Sequence, residues 1–163
     1  MTNSMPTRKL RDLEVSAIGL GCMPMSWGYN VADADKAEIR ATLHRTLELG
    51  ITLFDTADVY GPWTNEALLG EYLVKDGLRD QAIIASKCGL TPINMTSYGK
   101  NGKPDYVRQA CEDSLRRLGT DYIDLYQLHR VDPEVPIEET WGAFAGLVEQ
   151  GKVRYIGLSE TTV

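Results

Sequence analysis

The chain has 163 residues, of which 43% are hydrophobic and 25% are charged, a composition typical of one soluble globular domain. Its formal net charge of -6 disfavours nucleic acids and anionic membranes as partners. No stretch approaches the roughly 20 apolar residues of a membrane span, and the first residues lack the apolar run of a signal peptide. We therefore expect a cytoplasmic protein.

The three cysteines, Cys22, Cys88 and Cys111, are widely spaced along the chain. They form no CxxC pair, which argues against a zinc site and against a disulfide framework. The sequence therefore predicts three buried thiols in a reducing compartment.

Five short, largely apolar runs predict β-strands at residues 17–20, 52–55, 82–86, 122–128 and 153–158. Such runs are expected of strands that are covered on both faces in a parallel sheet. Four stretches with apolar residues on one helical face predict helices at residues 35–49, 65–74, 104–118 and 136–150. Asp35 and Pro104 suit helix starts, and Gly50, Gly119 and Gly151 suit helix ends.

This alternation of strands and helices, with right-handed crossovers, predicts an α/β fold with a parallel sheet and helices outside it. Two architectures fit a single domain over residues 1–163. A five-stranded doubly wound domain would be complete at this length, whereas a (β/α)8 barrel typically needs about 250 residues and would be present only in part. Periodicity alone slightly favours the doubly wound domain, because it leaves no unpaired barrel edge. The polar residues at the strand ends favour the barrel.

Residues able to hold or move a proton stand at the carboxyl ends of the predicted strands, which form the working face in both architectures. Asp55 ends the second strand, Tyr60 follows it, Lys87 ends the third strand and His129 ends the fourth. An ammonium beside a phenol favours the phenolate, a carboxylate holds the ammonium, and a histidine can hydrogen-bond a carbonyl. These residues predict protonation of a carbonyl oxygen while a cofactor delivers hydride to the carbon.

Each of these residues also has a structural explanation. Asp55 could bond loop amides, and His129 could be a hydrogen-bonded core histidine. Lys87 closes an apolar run and therefore needs a partner, for which Asp55 in the adjacent strand is the nearest candidate. Asp58 is expected to be a turn residue. Three aromatic residues in the loops after the first two strands either floor a substrate pocket or cover the core: Trp27, Tyr29 and Trp63.

Other catalytic motifs are weak or missing. Gly19-x-Gly21 follows the first strand without the third glycine of a GxGxxG turn, so a Rossmann site is poorly supported. Neither a GxxxxGK[ST] loop nor a GxSxG elbow occurs. The only histidines are His44, within a predicted helix, and His129, so no metal site is expected.

Several long motifs resemble those of the aldo-keto reductase family, in the right order and over nearly the whole chain. They are VSAIGLG at 15–21, FDTADVYG at 54–61 with Asn65-Glu66, Ser86-Lys87, SLRRLGTDYIDL at 114–125, His129, and GKVRYIGLS at 151–159. The chain is most similar to bacterial, fungal and plant members that reduce varied aldehydes and ketones.

This resemblance implies a (β/α)8 barrel, present here as about five βα units and capped below by a hairpin near residues 8–15. It implies that Tyr60 is the general acid, that Lys87 and Asp55 tune it, and that His129 orients the carbonyl. It further implies NADPH, or NAD in its place, across the barrel mouth. The residues implied at the nicotinamide end are Gly21, Met23, Asp55 and Ser159.

Two features depart from the family pattern. Glu160 follows Ser159 where the family usually has Asn, and an acidic residue there could weaken the hold on the nicotinamide amide. The remaining three barrel strands are missing as well. In the family, that missing part of the barrel carries the aromatic residue that usually stacks on the nicotinamide and the basic loop that binds the 2′-phosphate.

The resulting hypothesis is an NADPH-dependent oxidoreductase that reduces aldehydes or ketones to alcohols, with a small carbonyl compound as its substrate. Five of eight strands would leave two exposed sheet edges, through which two copies could associate. The alternative is a non-enzymatic nucleotide-binding or accessory module that keeps these residues without turnover.

Overall fold

A computed structural model describes residues 5–27, 35–94 and 97–161 of the chain. The strands within these residues are β1 Thr7–Leu10, β2 Leu13–Ser16, β3 Gly19–Gly21, β4 Leu53–Asp55, β5 Ile83–Cys88, β6 Leu90–Pro92, β7 Tyr98–Lys100, β8 Ile123–Leu128 and β9 Val153–Leu158. The α-helices are α1 Lys36–Glu48, α2 Asn65–Leu69, α3 Pro104–Leu118 and α4 Ile137–Glu149.

The strands β3, β4, β5, β8 and β9 form one parallel sheet and lie in it in chain order. Every crossover between them therefore steps in the same direction, and right-handed crossovers then put all the helices on one face. In a doubly wound sheet the order would reverse part of the way along, and helices would cover both faces. The strand order confirms the partial barrel and rules out the doubly wound alternative.

The first sheet strand lies later in the chain than predicted, because β3 begins at Gly19 and not at residue 17. The Ala17 N–H donates to the Pro6 carbonyl oxygen at 2.7 Å, and Ser16 Oγ donates to the Ile18 carbonyl oxygen at 2.6 Å. These bonds hold residues 17 and 18 outside the parallel sheet, in the segment that connects the hairpin of β1 and β2 to β3.

Two hairpins flank the parallel sheet. β1 and β2 pair antiparallel, with Arg8 opposite Val15, in agreement with the hairpin implied near residues 8–15. β6 and β7 form a second hairpin, with Leu90 opposite Lys100, which the sequence analysis did not predict. Its strands have three residues each and include Pro92 and Gly99, residues that are depleted in strands and typical of turns.

The helices begin and end largely where the sequence predicts. Asp35 caps α1 by accepting the Ala37 N–H at 2.9 Å, and Gly119 ends α3 in the left-handed conformation. The predicted helix at 65–74 is regular only as α2 and continues as a π-helical segment, Gly70–Val74. A Cβ on Gly70 would lie 2.6 Å from the Arg117 carbonyl oxygen, so α3 approaches the backbone closely there. No helix in the part of the chain that the structure describes combines the length and apolar character that crossing a membrane requires.

The sheet register separates an apolar face from a face that carries the polar residues. Phe54 lies opposite Ile84, and both side chains are fully buried in the main core. Asp55 lies opposite Ala85, and Lys87 follows two residues further along β5. Because side chains alternate along a strand, Asp55 and Lys87 share the face away from the helices.

Candidate active site

The Lys87 ammonium lies at the carboxyl end of β5, where the residue is only 6% exposed. Its Nζ donates to Asp55 Oδ1 at 2.6 Å and to the Thr56 carbonyl oxygen at 2.9 Å, and it lies 3.5 Å from Tyr60 Oη. An ammonium has three donors, and each therefore has an acceptor here. Asp55 supplies the countercharge that a buried lysine requires, as the sequence predicts.

Tyr60 stands in the loop after β4, which we call the catalytic loop and define as residues 56–64. This loop continues to pair with β5 beyond the last residue of β4. The Thr56 N–H donates to the Ala85 carbonyl oxygen at 2.8 Å, and the Asp58 N–H donates to the Lys87 carbonyl oxygen at 3.0 Å. The backbone of the loop is thereby fixed to the strand that carries Lys87, and Tyr60 itself is buried.

Asn65, the first residue of α2, ties the catalytic loop to the loop after β3. Its side chain is fully buried. Thr56 Oγ1 donates to Asn65 Oδ1 at 2.6 Å, while Asn65 Nδ2 donates to the Cys22 carbonyl oxygen at 2.8 Å and to Ser26 Oγ at 2.7 Å. Both loops that flank the carboxyl end of β4 are thus held by one amide.

His129 follows β8 directly, and its backbone N–H donates to the Cys88 carbonyl oxygen at 2.8 Å. Its ring meets the Tyr60 ring edge to face, with 5.8 Å between the centroids. Burial and, to a smaller extent, the charges of Lys87 and Arg130 lower the pKa of His129 to about 4. The imidazole is therefore neutral near pH 7, and its buried Nδ1 has no hydrogen-bond partner. A neutral imidazole can donate one hydrogen bond to a carbonyl oxygen.

Two of the residues expected at the nicotinamide lie beside this group. Gly21 ends β3 directly opposite Asp55, and a Cβ on Gly21 would meet no atom within 4 Å. Open space therefore adjoins the Asp55 end of the site. Met23 packs against the small apolar cluster that contains Tyr60.

Ser159 and Glu160 lie at the other side of the sheet, just past β9. The Ser159 N–H donates to the Leu128 carbonyl oxygen at 3.0 Å, which holds Ser159 at the carboxyl end of the sheet. Glu160 has a left-handed backbone, with φ of 48°, and its carboxylate pairs with Arg130 at 2.7 Å. Arg130 also donates to the His129 carbonyl oxygen at 2.7 Å. The acidic residue that replaces the family's usual Asn thus faces a cation.

The three aromatic residues of the loops differ in position. Trp27 lies against Tyr60, with 5.5 Å between ring centroids, and meets Tyr98 of β7 edge to face at 5.3 Å. Trp63 is 51% exposed at the end of the catalytic loop. Tyr29 lies outside the described residues. Trp27 therefore stands beside the candidate site, whereas Trp63 does not cover the core.

A buried ionic group behind the catalytic loop was not predicted from the sequence. Glu66 is fully buried and accepts hydrogen bonds from Ser86 Oγ at 2.5 Å and from Arg117 Nε at 2.7 Å. Asp58 acts as the expected turn residue, since its carbonyl oxygen accepts the Trp63 N–H at 2.9 Å. Its carboxyl group is nevertheless also buried, with 3% of the residue exposed. The adjacency of Asn65-Glu66 and Ser86-Lys87 to the catalytic motifs was the only signal in the sequence.

The three cysteines are buried and unpaired, as predicted. Burial and, to a smaller extent, the charge of Asp55 raise the pKa of Cys22 to about 12. Because a thiol reacts as its thiolate, Cys22 is not a nucleophile for this site.

The strand order and the residues at the strand ends define part of a β/α barrel, with Asp55, Lys87 and His129 at the carboxyl ends of its strands and Tyr60 in the adjoining loop. The sequence model of the Aldo/keto reductase family matches residues 17–163. The chain belongs to the aldo-keto reductase family.

Solved structures of aldo-keto reductases are similar to this chain. One is an aldo-keto reductase from Bacillus halodurans in its holo form, with 40% identity and a TM-score of 0.83 over 95% of this chain and 50% of the other. A thermostable aldo-keto reductase in complex with the inhibitor epalrestat has 33% identity and a TM-score of 0.80, over 96% of this chain and 54% of the other. A Pseudomonas aeruginosa protein assigned to the aldo-keto reductases has 31% identity and a TM-score of 0.86, over 100% of this chain and 64% of the other. The chain thus spans about half to two thirds of the length of these proteins.

Proposed function

We propose that the protein takes part in the NADPH-dependent reduction of aldehydes or ketones to alcohols, with NAD as the alternative cofactor. The observation that supports this proposal is the Lys87 ammonium, which contacts Asp55 and Thr56 and lies 3.5 Å from the Tyr60 hydroxyl. A buried ammonium beside a phenol stabilises the phenolate that forms when a tyrosine donates its proton.

The residues present fit the nicotinamide end of such a cofactor. The space over Gly21 adjoins Asp55, and a bare glycine allows a flat ring to approach the backbone. Gly21, Met23, Asp55 and Ser159 would hold that ring. When bound, the cofactor supplies a hydride for the carbonyl carbon.

The side chains of the chain itself handle the oxygen of the substrate. As the C=O π pair moves to oxygen, that oxygen takes the proton of Tyr60 Oη, and the product is an alcohol. The Lys87 ammonium stabilises the resulting phenolate, while Asp55 holds the ammonium in position and supplies its countercharge. His129, neutral at pH 7, donates a hydrogen bond to the same oxygen and orients it. Trp27 covers the Tyr60 ring and limits the access of water.

The direct test follows NADPH oxidation by the purified protein with 4-nitrobenzaldehyde, with the alcohol product identified by chromatography. NADH in a parallel reaction tests the cofactor preference, and nucleotide fluorescence titration measures binding independently of turnover. The proposal expects alcohol in proportion to the NADPH consumed. Tight NADPH binding without alcohol would instead support the non-enzymatic nucleotide-binding module. Neither binding nor turnover would refute both functions for this chain.

A further inference from the structure

A cavity of about 490 Å³ lies between the catalytic loop, β6 and α3. Its lining includes none of the four proton-transfer residues Asp55, Tyr60, Lys87 and His129. This volume is within the range of small-molecule sites, about 300–1,000 Å³. The cavity therefore has the size of a ligand site separate from the one that reduces carbonyls.

The cavity is lined by both apolar and charged side chains, and one of its carboxyl groups is buried. Leu90 and Pro92 of β6 line one side. Asp58 is 3% exposed, its Oδ1 has no hydrogen-bond partner, and its Oδ2 lies 3.5 Å from Tyr106 Oη. Trp63 also lines the cavity, is half exposed and has a left-handed backbone with φ of 62°. Non-glycine residues in that conformation cost energy and cluster at functional sites.

The other charges that line the cavity are already paired. Arg117 bonds the Glu66 carboxylate at 2.7 Å, and Arg116 bonds the Asp113 carboxylate at 2.5 Å. Among the described lining residues, Asp58 is the carboxyl group without an ion-pair partner. A buried carboxyl oxygen without a donor is destabilising, and a ligand donor would relieve that cost.

We propose that this cavity binds a small molecule that carries a protonated amine on a flat apolar body, with the amine at Asp58 and the body against Trp63. An ammonium supplies both the hydrogen-bond donor and the countercharge that Asp58 lacks. The indole of Trp63 is the aromatic face that best attracts a cation or a flat ring.

This site predicts a particular pH dependence. Burial and, to a smaller extent, the nearby Glu66 charge raise the pKa of Asp58 to about 8, although the Arg117 charge and the hydrogen bonds from the Val59 backbone and Tyr106 act to lower it. Cys88, whose thiol also faces Asp58, has a raised pKa through burial and is neutral in this range. Asp58 is therefore mostly protonated at pH 6.5, and an ammonium must displace that proton before it can pair. Amine affinity should rise as pH increases towards 8.5, where the carboxylate forms unaided.

The test is isothermal titration calorimetry of the purified protein with phenethylamine, at pH 6.5 and at pH 8.5. We expect affinity to rise about 5-fold or more between the two pH values, as the proton linkage requires. The neutral analogue 2-phenylethanol should bind at least about 10-fold more weakly, because it lacks the charge. The substitution Asp58→Asn should weaken amine binding about 10-fold, and Trp63→Ala about 3-fold.

The matched control is Glu71→Gln, which removes an exposed carboxylate (53% side-chain exposure) and should leave phenethylamine binding unchanged. Circular dichroism establishes that each variant is folded. Should Asp58→Asn fail to fold, the proposal is tested by Trp63→Ala and by the pH dependence of amine binding to the unaltered protein. The proposal is overturned if no heat is detected up to about 10 mM amine, if the alcohol binds as tightly as the amine, or if affinity does not change with pH.

Discussion

At the residue scale, Lys87 is the side chain on which the proposed chemistry depends. Its three donors contact an acidic group, a backbone carbonyl and the Tyr60 hydroxyl, so the ammonium has one well-defined position. A buried cation held in this way is preorganised to stabilise a phenolate. The same contacts explain why a lysine is tolerated in the largely buried strand β5.

Replacing Lys87 with Met tests this role. The substitution removes the charge beside Tyr60 while keeping an unbranched apolar chain of similar length. We expect kcat for aldehyde reduction to fall about 100-fold or more, because proton donation by Tyr60 loses its electrostatic support. The control is Lys75→Met, at an exposed residue that pairs with the exposed carboxylate of Glu71. Equal rates for both variants, measured as NADPH oxidation, would contradict the role assigned to Lys87.

The raised pKa of Asp58 also affects the stability of the folded protein. Its pKa is raised to about 8 in the folded protein, mainly by burial, against about 3.9 in an unfolded chain. Between these values the folded state binds more protons than the unfolded state, so stability falls as pH rises through this window. The substitution Asp58→Asn removes this dependence.

We therefore expect Asp58→Asn to raise the free energy of unfolding at pH 8.5 by at least about 1 kcal/mol, a gain in Tm of about 2–4 °C. The gain should shrink as pH falls towards 5. Thermal unfolding of both proteins at several pH values measures it. A difference in Tm that is the same at every pH would show that Asp58 is not protonated in the folded state.

Single residues differ in how well the sequence predicts their partners. The pairing of Asp55 with Lys87 was predictable, because both end neighbouring parallel strands and a lysine that closes an apolar run needs a countercharge. The burial of Glu66 was not predictable from the sequence, because its partner Arg117 lies 51 positions away. Such a contact depends on how α3 packs, which no local pattern reveals.

At the element scale, the catalytic loop is the segment that sets the position of Tyr60. Gly61 has a left-handed φ of 77°, and a Cβ there would lie 2.1 Å from Thr64 Oγ1 and 2.6 Å from Ser26 Oγ. Gly77 has the same φ of 77°, but a Cβ there would meet no atom within 4 Å. Substitutions at the two glycines can therefore be compared. Both place a side chain on a left-handed backbone, but only the substitution at Gly61 also crowds neighbouring atoms.

We expect Gly77→Ala to cost about 1–2 kcal/mol of stability, the cost of a left-handed residue with a side chain, and to leave kcat unchanged. Gly61→Ala should cost more and should lower kcat about 10-fold or more, because the added methyl displaces the loop beside Tyr60. Chemical denaturation and steady-state rates measure both effects. Similar losses of activity in both variants would mean that crowding at Gly61 does not control the site.

Most strands of the parallel sheet follow from short apolar runs, and its helices follow from the periodicity of apolar residues. The strands β6 and β7 lie in no apolar run, because Thr91, Pro92, Gly99 and Lys100 make up most of them. The π-helical segment after α2, Gly70–Val74, was not predictable from the sequence either. It coincides with the close approach of α3 to Gly70, which is a tertiary contact.

At the scale of the whole molecule, periodicity could not distinguish a doubly wound sheet from part of a barrel, because both alternate strands and helices. The order of the strands in the sheet distinguishes the two architectures and identifies the partial barrel. Two strands, β3 and β9, each pair with one neighbour only within the described residues. Ile18 beside β3 is 59% exposed and Leu158 of β9 is 38% exposed.

Unpaired strand edges with exposed apolar residues favour association between copies. For the 163-residue chain we expect a species of at least twice the mass of one chain, measured by sedimentation equilibrium at several concentrations. Leu158→Lys should weaken this association, because charges on an edge strand oppose pairing. A single monomeric species at every concentration would contradict the expectation.

In the proposed reaction Tyr60 donates the proton to the carbonyl oxygen of the substrate. The most direct measurement compares kcat of Tyr60→Phe with that of Tyr155→Phe, a half-buried tyrosine of β9, using NADPH and 4-nitrobenzaldehyde. Tyr60→Phe should lower kcat about 100- to 10,000-fold with NADPH binding retained, which is the usual contribution of a general acid, whereas Tyr155→Phe should change it less than about 3-fold. A Tyr60→Phe variant that reduces the aldehyde at the unaltered rate would show that Tyr60 is not the proton donor.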